Sequence, residues 1–397
     1  MFDLKQLQGM LVDNDFDGIL LADMFNVSYA MGMFDRVHME LEDCPLLLVV
    51  PAKGEPFSLA GRHFCHLLGD TPFEKNMYTL LYNAKSYADI ADILVRALKE
   101  HGLGSGRLGI ERLRLPAMYA LAMRDQLPEL ELADASWIMC QMRSVKCEKE
   151  VSLIRKAIDG SEAAWHRLLE NVTVNSTRRE LRKIIEQTAS ENDCEILPRS
   201  VLWRSQVPEE PDSPRKGLDA SLILRQHWCG SVLDEPIESD KTFEMDLVFR
   251  HRGYFSDIYM RFCIGTPEDE VVETLIEHQR AQDELSKTIR PGMPAKVALK
   301  NLRGIVKDLV GDKYGPDPLC YIHGVGLEPH EEPFVNNEWP EESEQSRITM
   351  EVGTVFVIEC EFGSVWYENM HLLTEDGVER MNKHSNMNDG PDIVPKR

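Results

Sequence analysis

The chain has 397 residues, and its 67 acidic against 44 basic side chains leave a formal net charge of −23, which disfavours nucleic acid and anionic membranes as partners because phosphates would be repelled. With 43% hydrophobic residues it is long enough for two domains, each with a core of its own. It holds no run of about twenty apolar residues, so no membrane span is expected. Nine cysteines at scattered spacings, without a CxxC pair, point to reduced thiols in a cytoplasm.

The start, MFDLKQLQGMLVDNDFDG, is amphipathic and carries acids, unlike a signal peptide. Leu4–Asp13 reads as a short helix, followed by strands at Gly18–Leu21 and Pro45–Val50 and a turn over Pro51–Pro56. Helical periodicity over Ser86–His101 stops at Gly102; a strand at Leu108–Glu111 and a helix at Pro116–Leu127 follow. Strands alternating with helices predict an α/β domain over residues 1–145. Asp35, Arg36 and His38 read as ordinary loop polars.

The stretch Met142–Glu148 marks a boundary, and a second domain is expected over 146–397. It opens with two long helices, Glu148–Asn171 and Ser176–Asn192, the second capped by Ser176 or Thr177 ahead of Glu180. Residues 195–217 interleave Pro198, Pro208, Pro211 and Pro214 with Arg199, Arg204, Arg215 and Lys216. They read either as disordered surface or as a functional rim.

Five candidate metal ligands follow. Asp246 ends the strand-like Thr242–Met245 alternation, and Asp257 stands eleven residues later, which reads as a hairpin with one carboxylate on each strand. His323 lies in CYIHGVGLEPHEEP. Glu359 ends the apolar run Thr354–Ile358, and Glu368 sits on the next strand beyond a tight turn at Phe362-Gly363-Ser364. A carboxylate within an apolar strand needs a partner, since an unpaired buried charge is costly. Four carboxylates and one imidazole suit a pair of hard or borderline divalent cations, Mn²⁺, Co²⁺, Fe²⁺ or Zn²⁺. His330, seven residues past His323 in a glycine-rich turn, can reach the same cavity and hydrogen-bond a carbonyl oxygen or a developing oxyanion. Arg261 is expected to pair with nearby carboxylates.

In this order and spacing the chain resembles the pita-bread-fold metallopeptidases, the family of methionine aminopeptidase, aminopeptidase P, prolidase and the metal-free creatinase. Asp246, Asp257, His323 before Gly324-Val325-Gly326, His330, Glu359 and Glu368 match that family's pattern, as does Glu368–Gly377 its closing strand and turn. The resemblance implies an α/β N-terminal domain followed by an α+β pita-bread catalytic domain, two divalent ions with Mn²⁺ favoured, and a homodimer. Asp246 and Asp257 would bind one ion; Asp257, His323, Glu359 and Glu368 would hold the other. Glu359 would act as base, with His330 and His227 steadying the intermediate; His227 lies nineteen residues before Asp246, about where the family carries a substrate-contacting histidine. Asn26–Gly32 is similar to a segment that often faces the neighbouring subunit's site.

Three departures bear on substrate. Leu319 stands where proline-handling members carry a further histidine, Val248 replaces a usual glycine, and Glu359 and Glu368 are only nine residues apart. The leading expectation is a cytoplasmic metal-dependent hydrolase of short peptides, of the Xaa-Pro type. The alternatives are a non-peptidase hydrolase or lyase acting on a small polar metabolite, as in the family's dimethylsulfoniopropionate lyases, and a binding protein that keeps the fold without the chemistry.

Overall fold

A computed structural model describes residues 2–32, 46–62, 64–80, 87–197, 200, 202–204, 234–315, 318–336, 348–363, 365–383 and 390–396. It divides into two compact units, Met1–Arg143 and Ser144–Arg397.

In the first unit, Asp3 caps α1 (Leu4–Asp13) by accepting from the Lys5 and Gln6 amides, and Leu7 and Leu11, one turn apart, turn inward. Strands β1 (Gly18–Leu21), β2 (Leu46–Pro51), β3 (Phe57–Gly61), β4 (Met77–Leu80), β5 (Gly106–Ile110) and β6 (Leu130–Asp134) form one mixed sheet in the order β4-β3-β2-β1-β5-β6. Its core joins Val49, Phe57, Leu59 and Leu108 to Leu94 and Leu98 of α3 (Tyr87–Glu100) and Met123 of α4 (Ala117–Gln126). The segment similar to a subunit-facing stretch lies mostly in a helix, α2 (Met24–Met31). Asp23 opens it, and Gly32 closes it at φ +66°, a conformation that favours glycine. Asp35, Arg36 and His38 lie outside the described residues. A further helix, α5 (Ser136–Ser144), runs to the boundary.

The second unit begins with α6 (Glu148–Asn171) and α7 (Arg178–Glu191); Thr177 and Glu180 close the expected capping box on α7. Of the proline-rich stretch, β7 (Glu195–Ile196) and β8 (Leu202–Arg204) are described, and both are short strands. The expected hairpin is more elaborate than its sequence indicates. β9 (Thr242–Leu247) pairs with β12 (Ile258–Ile264), while the tip between them makes β10 (Phe249–His251) and β11 (Tyr254–Phe255), which form a separate sheet with β7. Asp257 therefore precedes its strand rather than lying on it.

Helices α8 (Asp269–Ser286) and α9 (Ala295–Val310) precede the main sheet, whose order is β15-β14-β17-β18-β19. Its strands are β14 (Leu319–Gly324), β15 (Glu331–Asn336), β17 (Val355–Phe362), β18 (Val365–Thr374) and β19 (Gly377–Arg380); β13 (Met293–Pro294) pairs with β16 (Thr349–Met350), and β20 (Asp392–Val394) edges the β9–β12 sheet. Alternation assigns the two faces of the main sheet. Cys320, Ile322, Phe356, Ile358 and Cys360 pack with Leu285, Leu302 and Val306 of the two helices. Tyr321, His323, Glu359 and Glu361 are their odd-numbered neighbours on the opposite face. Burying an isoleucine such as Ile358 is worth about 1.5–3 kcal/mol, so this core is what holds a face of carboxylates in place. The described cysteines are free, as expected, and no described helix is long and apolar enough to cross a membrane.

Candidate metal centre

The main sheet aligns its two glutamates. β17 and β18 are antiparallel in a register that places Glu359 directly opposite Glu368, with Tyr321 of β14 on the other side of Glu359. Glu359 thus stands mid-strand rather than ending its run, because β17 continues through Phe362. The turn after it is short, with Gly363 at φ +63°, and the nine-residue spacing is what that register requires. Like charges directly opposite one another on an antiparallel pair destabilise it unless something positive lies between them.

His323 supplies the next donor. Its Nδ1 lies 3.1 Å from the carbonyl oxygen of Gly324, which can only accept, so Nδ1 carries the proton. The buried Nε2 is left with a lone pair, no hydrogen-bond partner among the described residues, and Oε2 of Glu359 at 3.6 Å. Two acceptors facing each other in a buried site are the arrangement a cation completes. The turn that presents His323 depends on glycine: a Cβ on Gly324 would come within 2.4 Å of the Glu332 carbonyl oxygen, and one on Gly326 within 2.3 Å of Oε1 of Glu331.

Asp246 faces Tyr259 across the β9–β12 pair, and Asp257 precedes Ile258. Ligand atoms of Asp246, Asp257 and Glu368 lie within 4.8 Å of one another, as do those of His323, Glu359 and Glu368, and those of Asp257, His323 and His330. His330 is partly exposed; its Nε2 is 3.5 Å from Oδ2 of Asp257, and its ring packs edge-on against His323 at 4.5 Å. The structure therefore brings together Asp246, Asp257, His323, His330, Glu359 and Glu368. His227 lies outside the described residues. Arg261 pairs as expected, with Glu244 at 3.2 Å, both buried.

Several neighbours carry no motif. Tyr259, Trp366 and Tyr321 stand nearly parallel, with ring centroids 6.4 and 6.5 Å apart, and form a partly exposed aromatic wall beside the carboxylates. Burial, and then the carboxylates of Asp246, Glu368, Glu359 and Glu244, hold the Tyr259 phenol well above its usual range. On the far side of β18, Gln282 donates to the Ile358 carbonyl, Asn369 to Gln282, and Asn382 to Asn369 (2.5, 3.0 and 2.7 Å), which braces the strand that bears Glu368. His278 and His371 are buried outside these clusters, and burial brings both down to about 3, so they are neutral.

Residues 152–375 match the metallopeptidase family M24, and residues 4–145 match the creatinase/prolidase N-terminal domain. The chain belongs to metallopeptidase family M24. As a member it is a metal-dependent hydrolase, with a creatinase-like α/β domain ahead of a pita-bread catalytic domain. It is 26% identical to an Xaa-Pro dipeptidase of Pyrococcus horikoshii over 70% of this chain and 74% of that one, and 22% identical to one of Lactobacillus delbrueckii subsp. lactis over 95% of each. A dipeptidase structure from Pyrococcus horikoshii superimposes with a TM-score of 0.76 at 21% identity, covering 98% of this chain and 99% of that one. The same fold occurs in the N-terminal domain of the FACT complex subunit SPT16 from chickpea, which matches with a TM-score of 0.68 at 13% identity, over 97% of this chain and 96% of that one.

Proposed function

We propose that this M24 member is an Xaa-Pro-type aminopeptidase or dipeptidase acting on short peptides, with Asp246, Asp257, His323, Glu359 and Glu368 as ligands to two divalent ions. The observation that carries the metal site is the direct apposition of Glu359 and Glu368 beside the lone pair of His323. The names of the relatives support the peptide class. The oxygen-rich donor set favours Mn²⁺, with Co²⁺, Fe²⁺ or Zn²⁺ as substitutes. When bound, such ions lower the pKa of water and polarise a carbonyl. Glu359 takes the proton of the attacking water as the C–O bond forms, and delivers it to the nitrogen as the C–N bond breaks. His330, exposed at the mouth and oriented by Asp257, hydrogen-bonds the carbonyl oxygen as its charge grows. The aromatic wall removes water from an apolar residue flanking the scissile bond. A role for His227 belongs to the same proposal, as do the homodimer and the cytoplasmic location.

Leu319 favours a second reading. It shares its row with Glu361 and Trp366 on the site face, at the place where proline-handling members carry a further histidine; without that histidine, hydrolysis or elimination on a small polar metabolite is the second reading. Elemental analysis with Mn²⁺-reconstituted protein on an Xaa-Pro dipeptide panel tests both. About two ions per chain with turnover are expected. Two ions with no peptide cleaved would transfer the assignment to the second reading.

A further inference from the structure

The MRSVKCE stretch at the start of the second unit has no part in the ligand set, yet it holds a buried lysine. Lys146 Nζ lies 2.6 Å from Oε1 of Glu331, and the two side chains are 1% and 5% exposed. Glu331 directly follows His330. The same carboxylate fills the space that a Cβ on Gly326 would take. The Gly326 carbonyl in turn accepts from the Phe255 amide at 2.8 Å, two residues before Asp257. Tyr254 donates to Glu150 at 2.7 Å, and Glu150 accepts from the Cys147 amide at 2.9 Å, next to Lys146. These contacts close a ring, from Lys146 through Glu331, Gly326, Phe255, Tyr254 and Glu150 back to Cys147. Asp257 and His330 project from that ring, with 3.5 Å between Oδ2 and Nε2.

A buried ion pair is a weak device for stability, since apolar side chains of similar volume commonly serve as well. What a paired charge adds here is a fixed place for the Glu331 carboxylate, and with it a fixed turn between His323 and His330. We propose that Lys146 and Glu331 are positioning residues that hold His330 against Asp257. The inference rests on the role given to His330 above.

The test uses the full-length, metal-loaded protein and three variants: Lys146→Met, Glu331→Gln and the double Lys146→Met/Glu331→Leu, which strands no buried charge. The double variant is expected to keep its melting temperature and metal content. Its kcat on Xaa-Pro dipeptides should fall about tenfold or more while KM stays nearly constant, as for an interaction made only in the transition state. The His330 ring resonance, read on the diamagnetic Zn²⁺-loaded protein and assigned by its loss in His330→Asn, should move. A double variant with wild-type kcat and an unmoved His330 resonance would overturn the proposal, whatever happens to Lys146→Met alone. If the wild-type protein cleaves no dipeptide, the peptidase reading fails, and the His330 resonance alone decides the positioning role.

Discussion

Asp257 shares one cluster with Asp246 and Glu368 and another with His323 and His330, and on the proposed assignment it is the carboxylate common to both ions. Asp257→Ala should reduce metal content below one ion per chain and lower kcat/KM by at least about a hundredfold, beyond the loss that follows when a residue touching only a ligand is removed. Elemental analysis beside the kinetics checks it, and two retained ions with full activity would refute the assignment. Trp366 makes a different kind of contribution. Stacked between Tyr259 and Tyr321, it offers surface rather than charge. Trp366→Ala should raise KM about tenfold for dipeptides with a bulky apolar residue, leave kcat close to wild type, and scarcely affect glycine-containing ones.

At the level of elements, the decisive quantity is register. Glu359 meets Glu368 because the chain reverses tightly after Phe362, and a one-residue slip would turn every side chain of β18 to the other sheet face. Inserting one residue after Gly363 should therefore abolish metal loading while leaving the helix content intact, as read by elemental analysis and circular dichroism. Much of this was legible beforehand. Carboxylates within apolar runs and a histidine ahead of Gly-x-Gly leave local traces, so the residues that the fold brings together could be picked out from the sequence. Helix α2 left none, since six of its eight residues are buried and no polar stripe sets off an apolar one. The two-residue strands β7 and β11 are too short to show a period, which is why the hairpin looked simpler than it is. The aromatic wall and the Lys146–Glu331 pair unite residues far apart in the chain. Only the folded chain brings them together.

Across the whole molecule, the two units should respond to different conditions. In the first, Glu111 is buried and accepts from the Ala22 and Asp23 amides and from Asn26, each at 2.5 Å. Burial, with Asp23 adding, still raises it from 4.5 to about 7. A carboxyl group raised in the folded state contributes stability that is full below its unfolded pKa and lost as pH rises through the folded value. Stability of this unit should therefore fall by up to about 3 kcal/mol between pH 4.5 and 7 on account of Glu111. Denaturant unfolding across that range checks it, with Glu111→Gln expected to flatten the slope. In the second unit, chelation should lower the unfolding temperature, since ions at a thousand times their Kd add about 4 kcal/mol; a scan with and without chelator should leave the first unit's transition in place. The overlap of the clusters also has an evolutionary consequence. Asp257, His323 and Glu368 each belong to two of the three groups, so on the proposed ligand assignment one substitution among them disturbs both. The described core beneath the sheet shares no residue with these clusters, so a descendant that lost them would inherit a sound scaffold free to take other work.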